Sequence, residues 1–211
     1  MRLALEELGL PYETVLVDRR KAGHKAKAYL ALNPNGLIPV LETPHGPMFE
    51  TGAILLWLAE EAGALMPRPG SLERQHALQW LVWLSNTLHA SERMLFYPEQ
   101  YTDGDREALR QKVRTRIIAH LDILAAAQTT PWLDQDAPSI HACYLAPMLR
   151  WAALYGGDTR WFALSHWPRL LAFAKRAEAR PASQRVARAE GLGAKPFSEP
   201  TPCNPPEGSA L

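Results

Sequence analysis

The sequence predicts an α/β first half followed by an all-helical second half. Short helical and extended patterns alternate up to about residue 67, and no strand pattern follows for over a hundred residues. A mixed sheet covered by helices accounts for the first pattern, and packed helices account for the second. The segment MPRPGS, which contains Pro and Gly, lies between them. We therefore expect one domain over 1–66, a second over 71–192 and a proline-rich tail over 193–211.

The elements of the first half are expected in the order α-β-α-β-β-α. Met1, Ala4, Leu5 and Leu8 have helical spacing, and Gly9 supplies a helix stop, although no capping residue precedes Met1. The other elements follow from β-branched runs, turn residues and helix stops: a strand at YETVLVD, a short helix at HKAKAYLALN, a hairpin of IPVLE and PMFE around TPHG, and a helix at TGAILLWLAEEAG.

Five helices are expected in the second half. Ser71 caps a helix that runs to about residue 95, and Asp103 or Asp105 caps one that runs to about Ala127. The buried stripe of this second helix consists of Leu109, Val113, Ile117, Leu121 and Leu124. The remaining helices are expected at Ser139–Leu154, at about 167–180 and at 183–190. The prolines of the tail favour an extended chain there.

Composition excludes several classes of function. The 211 residues include 23 basic and 22 acidic side chains, so no global field attracts nucleic acid or an anionic membrane. The longest apolar run, AILLWLA, is far below the roughly 18 residues of a membrane span. Seven scattered histidines and two cysteines show neither metal-ligand spacing nor a disulfide framework. We expect a cytoplasmic protein with reduced thiols, no bound metal, and small molecules or proteins as partners.

Two motifs, NPNGLIPVLE and ETGAILLWLAE, resemble those of the glutathione transferases, and GLPYETVLVD and SIHACYLAPMLRW are similar to bacterial, beta-class-like members. The resemblance implies a thioredoxin-like N-terminal domain that binds glutathione, here incomplete because its first strand is absent. It also implies an all-α C-terminal domain that completes the site for the other substrate. The expected function is detoxification by a homodimer in which glutathione thiolate attacks a small electrophile. Glutathione is then a co-substrate, and no cofactor is expected.

Ile38 and Pro39 stand just before a predicted strand. A cis bond between them would turn the strand end so that Ile38 presents its backbone N–H and C=O to a peptide-like ligand. The alternative is an ordinary trans proline that opens a strand. The resemblance implies the cis form, with Ile38 and Pro39 holding the cysteinyl part of glutathione.

Glu50 and Thr51 stand where a strand gives way to a helix. Thr51 can act both as N-cap and as a ligand for a carboxylate, because helix N-termini favour anions. Glu50 can pair with an amino group or simply form a polar flank. The resemblance implies that both residues bind the γ-glutamyl part of glutathione.

His89 lies on the predicted fourth helix, where a single histidine on a half-apolar face is more often structural. The resemblance implies instead that it lines the thiol and second-substrate site. Ala90 follows it where beta-class members often carry Lys. Lys21 is a weaker candidate for the glycyl carboxylate, and a solvated surface lysine is the simpler interpretation. For the arginine stripe Arg106, Arg110 and Arg114, a solvated helix face is likewise a simpler interpretation than an anion site.

No catalytic residue can be assigned in this sequence. The resemblance implies a Ser, Cys or Tyr in the loop after the first strand, and that loop would precede Met1. Either the native polypeptide starts upstream, or the first domain is rearranged in a degenerate member. Two functions therefore remain open: a glutathione transferase, and a noncatalytic glutathione-binding or dimerisation module.

Overall fold

The computed structural model describes residues 1–204 of the chain. This part contains nine α-helices and one two-stranded sheet. The first-half elements are α1 (Arg2–Leu8), α2 (Lys27–Leu32), β1 (Leu41–Thr43), β2 (Gly46–Met48) and α3 (Thr51–Ala62). The second-half helices are α4 (Leu72–Trp83), α5 (Ala90–Phe96), α6 (Arg106–Ala126), α7 (Ile140–Leu154), α8 (Pro168–Ala179) and α9 (Pro181–Ala189). A thioredoxin-like first half with a two-stranded sheet, followed by an all-α second half, confirms the fold class that the sequence predicts.

The helices and the hairpin of the first half form where their local signals predict them. Gly9 and Gly63 end α1 and α3 with positive φ angles of 63° and 60°, which a glycine adopts without steric cost. β1 and β2 pair antiparallel with Leu41 opposite Met48 and Thr43 opposite Gly46, so the TPHG turn closes a short hairpin.

The predicted strand at YETVLVD is wrong. Residues 11–17 form no helix or strand and make no backbone hydrogen bond to the rest of the described chain. Val15 and Leu16 are 83% and 65% exposed. A β-strand exists only when its backbone groups pair with a neighbour, and the hairpin does not extend to this segment. The β-branched residues alone therefore do not produce a strand here.

In the second half, capping side chains fix the helix starts. The Ser71 hydroxyl accepts a hydrogen bond from the Arg74 N–H, and the Ser139 hydroxyl accepts one from the Ala142 N–H, both at 3.1 Å. Asp105, rather than Asp103, caps α6. A π-helical segment, Leu84–His89, joins α4 to α5, so the helix predicted over 71–95 is continuous but locally widened.

One hydrophobic core joins the two halves. It includes Leu5 of α1, Leu55 of α3 and Leu145 of α7, which are at most 5% exposed. The stripe predicted on α6 is buried except for Leu109, which is half-buried. The bounds 1–66 and 71–192 remain predictions. Along residues 1–204, no helix is both long and apolar enough to cross a membrane.

The tail is non-helical over residues 193–204, as expected, but it is also fixed to the helices. The buried guanidinium of Arg150 donates to the carbonyl oxygens of Leu192, Pro196 and Thr201 at 3.3, 3.2 and 2.6 Å. The Glu178 carboxylate accepts from the N–H and hydroxyl of Ser198 at 2.9 and 2.5 Å. The rest of the predicted tail, 205–211, lies outside the described residues.

Candidate functional site

The open end of the hairpin presents an unpaired stretch of backbone. The Ile38–Pro39 peptide bond is cis, as the family resemblance implies. Asn33 Nδ2 and the Tyr29 hydroxyl both donate to the Leu37 carbonyl oxygen, at 2.7 and 2.8 Å, and hold the preceding peptide in place. Ile38 is 45% exposed, and within residues 1–204 its N–H and C=O have no hydrogen-bond partner. Both groups are available to an extended ligand.

The N-terminus of α3 lies at the same end of the hairpin. The β1–β2 pairing ends at Leu41 opposite Met48, and in the same register two residues further on Pro39 stands opposite Glu50. Glu50, not Thr51, is the N-cap residue, with a φ of 69° that non-glycine residues rarely adopt. The side chain of Glu50 does not cap the helix, and Thr51 is the first helical residue. The first-turn N–H groups of α3 are therefore open to an anion.

His89 contacts two aromatic side chains of α7. Its Nδ1 lies 3.0 Å from the Tyr144 hydroxyl, and its ring is 5.7 Å from the rings of both Tyr144 and Trp151. Burial, reinforced by the positive charge of Arg93, lowers the pKa of His89 to about 4. His89 is consequently neutral near pH 7, when one ring nitrogen donates and the other accepts.

The N-terminus of α3 packs against the same aromatic group. A Cβ atom on Gly52 would lie 3.8 Å from the Ser85 hydroxyl and 3.9 Å from Cε1 of Tyr144. Burial raises the pKa of Tyr144 to about 12, so its hydroxyl stays protonated, while a hydrogen bond with Ser85 acts in the opposite direction. The hairpin end, the first turn of α3 and the His89–Tyr144 pair therefore surround one region between the two halves.

Sequence reasoning missed several residues of this region. Ser85 stands in no motif. Tyr144 and Trp151 fall within SIHACYLAPMLRW, but only their placement seven residues apart on α7 indicates a shared face. Glu92, which is 2% exposed, was also missed. Burial raises the pKa of Glu92 well above its usual value, and its Oε2 has no hydrogen-bond partner in the described structure.

The other candidates lie apart from this region or are engaged elsewhere. The Lys21 side chain is 86% exposed and pairs with Asp18 at 3.5 Å, as a solvated lysine would. Arg110 and Arg114 both pair with Glu107, but their side chains are only 26% and 14% exposed, so the prediction of a solvated stripe is wrong at these two positions. Cys143 is 2% exposed, and burial raises the pKa of its thiol to about 12, so it is no nucleophile.

Comparison with known proteins finds mainly glutathione S-transferases, with a disulfide-bond oxidoreductase of Escherichia coli and a maleylacetoacetate isomerase of Pseudomonas aeruginosa also among the relatives. Residues 1–61 match the family model described as the glutathione S-transferase N-terminal domain. Glutathione S-transferase GST-4.5 of Xanthomonas campestris is 32% identical over 198 residues, with 87% of this chain and 89% of the relative covered. The bacterial transferase BphK, solved as a ternary complex, is 37% identical with a TM-score of 0.71, with 90% of this chain and 93% of that one covered. The beta-class transferase of Sphingomonas chungbukensis is 29% identical with a TM-score of 0.69, and 89% and 91% of the two chains are covered.

Proposed function

Because the chain belongs to the glutathione S-transferase family, we propose that it binds glutathione and conjugates the glutathione thiolate to small electrophilic molecules. The observation that carries this proposal is the packing of α3 against α7, which sets the first turn of α3 beside Tyr144, the partner of His89. It joins a site for a peptide-like anion to a polar, aromatic reaction site. Solved relatives support the ligand: a sphingomonad transferase, 28% identical with a TM-score of 0.70, was crystallised with glutathione.

Four residues of the first half hold the peptide. Ile38 pairs through its backbone with the cysteinyl part, and Pro39 positions that backbone. The N–H and hydroxyl of Thr51 bind the γ-glutamyl carboxylate at the N-terminus of α3. The exposed carboxylate of Glu50 pairs with the γ-glutamyl amino group.

His89 lines the place where the sulfur meets the second substrate. As a neutral imidazole it offers a hydrogen bond to the sulfur or to the electrophile, and Tyr144 fixes the ring orientation. The aromatic ring of Trp151, tilted against His89, gives the electrophile an apolar wall.

A noncatalytic glutathione-binding or dimerisation module is the second candidate. One observation favours it: a neutral His89 supplies no positive charge to stabilise a thiolate whose thiol has a pKa near 8.5. No Ser, Cys or Tyr of the described residues is assigned to activate the thiol. Binding is therefore supported by more of the structure than conjugation is.

The remaining features of the proposal concern assembly and setting. Leu78 and Val82, one turn apart on α4, are 37% and 61% exposed and offer an apolar surface for a homodimer. Light scattering of the protein and of Val82→Glu tests this, since a dimer at this surface dissociates in the variant.

The free Cys143 and Cys203 fit a reducing, cytoplasmic setting in which the protein detoxifies electrophiles. Glutathione serves as co-substrate, with no further cofactor.

Glutathione binding is tested by isothermal titration of the 211-residue chain. We expect Glu50→Gln and Thr51→Ala each to weaken binding about tenfold, because each removes one charge-assisted or hydroxyl contact. Glu61→Gln, an exposed glutamate at the other end of α3, is the matched control and should leave the affinity unchanged. A folded protein that does not bind glutathione at millimolar concentration contradicts the proposal.

Conjugation is tested with 1-chloro-2,4-dinitrobenzene and glutathione. His89→Ala should lower kcat/KM about tenfold while the Kd for glutathione changes less than twofold, and the exposed His45→Ala should change neither. Glutathione binding without any conjugation would favour the noncatalytic module.

A further inference from the structure

Two arginines share one tyrosine at the end of α5. The guanidinium carbons of Arg19 and Arg93 lie 5.5 and 5.8 Å from the ring centroid of Tyr97. Both terminal nitrogens of Arg19 donate to the Tyr97 hydroxyl at 3.1 Å. All three side chains are half-buried. We call this group the Arg19–Tyr97–Arg93 cluster; its two positive charges surround a single aromatic ring.

The cluster borders the proposed reaction site. His89, Arg93 and Tyr97 are spaced four residues apart along α5 and its ends, so they follow one face of the helix. The charge of Arg93 reaches His89 and adds to the lowering of its pKa. Arg19 comes from the segment between α1 and α2, in the half that binds glutathione in our proposal. The cluster therefore spans both halves next to His89.

Arg93 differs from the other half-buried arginines in its partner. Arg114, Arg169 and Arg180 each contact a carboxylate at 2.6 Å. Arg93, in contrast, forms no ion pair with any described residue, and its guanidinium donates only to the neutral Gln100 Oε1, at 3.3 Å.

A half-buried guanidinium without a counter-ion attracts an anion more strongly than a fully solvated one, because water and salt screen it less. Its planar fork matches a carboxylate.

We infer that the second-substrate site selects electrophiles that carry a carboxylate, and that Arg93 is the specificity-determining residue that binds this group beside His89. The inference rests on the proposed glutathione site and names the substrate class of that site. The competing interpretation is that the cluster only holds the two halves together. In that case a carboxylate on the ligand does not increase its affinity.

The test uses two ligands that differ only in the carboxylate: S-benzylglutathione and S-(4-carboxybenzyl)glutathione. By isothermal titration at pH 7.5 the intact chain should bind the carboxylate ligand about tenfold more tightly. Arg93→Gln should reduce this preference below twofold, while Arg93→Lys should keep part of it. The matched control is Arg116→Gln, an exposed arginine that contacts the neighbouring Met94 and should keep the full preference.

The outcomes separate the two proposals. Equal affinity of the intact chain for the two ligands, or a full preference in Arg93→Gln, overturns the inference and leaves glutathione binding standing. Failure of the folded chain to bind either ligand overturns the proposed function and the inference together. The comparison of ligands on the unaltered chain needs no substitution, so it stays decisive even if Arg93→Gln does not fold.

Discussion

At the scale of single residues, Glu92 is a carboxylic acid inside the protein without a hydrogen bond to Oε2 in the described part of the chain. Because burial raises its pKa in the folded state, the folded protein holds this proton more tightly than the unfolded chain does. The stability that comes from this proton is present below pH 4.5 and is lost as the pH rises through the folded-state pKa. At neutral pH, Glu92 therefore lowers the free energy of unfolding.

We predict that Glu92→Gln stabilises the protein at pH 7.5, because an amide has the same shape and no charge to bury. The gain should be on the order of 1 kcal/mol or more, which for a chain of this size raises Tm by about 2–4 °C. Thermal unfolding at pH 7.5 and pH 4.5 checks this, with a smaller gain at the lower pH. The exposed Glu99→Gln should leave Tm unchanged. A destabilised Glu92→Gln at pH 7.5 would contradict the prediction.

His141 gives the opposite pH dependence. It is 1% exposed, its Nε2–H donates to the Ala77 carbonyl oxygen at 2.7 Å, and its ring stacks on Trp132 at 4.9 Å. Burial lowers its pKa from 6.5 to about 4. Between those values the unfolded chain binds the proton and the folded one does not, so stability is complete above pH 6.5 and falls towards pH 4.

We predict that the gap in stability between the protein and His141→Gln narrows by up to about 3 kcal/mol from pH 7.5 to pH 4.5, because glutamine does not titrate. Urea unfolding at the two values measures the gap. The exposed His45→Gln should follow the unaltered protein at both. A gap that stays constant would mean that His141 is not the group that resists protonation.

At the scale of elements, the buried Arg150 decides whether residues 193–204 stay on the helices. It donates to two of their backbone carbonyls, those of Pro196 and Thr201, and to that of the adjoining Leu192, and Cys203, near the end of this stretch, is only 8% exposed. We predict that Arg150→Met leaves these carbonyls unpaired, lowers stability by roughly 2–4 kcal/mol and releases the tail. Cys203 should then react with Ellman's reagent at least tenfold faster.

The control variants identify the thiol and the cause. Arg150→Met with Cys203→Ser should lose the fast reaction, since Cys143 stays in the core. Arg160→Gln, which removes an exposed guanidinium, should leave the reaction slow. Slow labelling of Cys203 in Arg150→Met would show that the tail is held by other contacts.

Elements with a complete local signal could be predicted from the sequence, and elements that depend on distant partners could not. Ser71 and Ser139 cap helices because serine and the following turn suffice for the bond. The strand at YETVLVD failed because no neighbouring strand pairs with it in the described chain. The fixed tail was missed for the same reason, since Arg150 lies 42 to 51 residues before the carbonyls that it contacts.

The candidate site divides in the same way. Ile38, Pro39, Glu50 and Thr51 stand in motifs, whereas His89 is a single histidine that only the family resemblance singles out. The roles of all five remain predictions. Tyr144 was missed because only tertiary packing brings α7 to His89 and to the first turn of α3. No sequence pattern singles out Arg93 either, because its proposed role depends on having no carboxylate partner among the described residues of the folded chain.

At the scale of the whole molecule, α1 connects the first half to the last two helices. The Glu7 carboxylate accepts from both Nε and Nη2 of Arg180, at 2.6 and 2.8 Å, with the Glu7 side chain 7% exposed. Arg185 adds an ion pair to Glu6. α1 also packs against α3, whose first turn carries Thr51. These ion pairs therefore fix the position of α3 relative to the second half.

We predict that Glu7→Gln lowers the free energy of unfolding by about 2–3 kcal/mol, because it leaves the guanidinium of Arg180 without a counter-ion in a largely buried place. The double variant Glu7→Gln/Arg180→Gln should recover part of this loss, since neither charge is then left alone. The exposed pair Asp158–Arg160 provides the comparison: Asp158→Asn should change nothing measurable. Glu7→Gln should also weaken glutathione binding severalfold without touching a binding residue, because α3 loses its support from α1. Titration of the folded variant checks this, and unchanged affinity would show that α3 keeps its position without the ion pair.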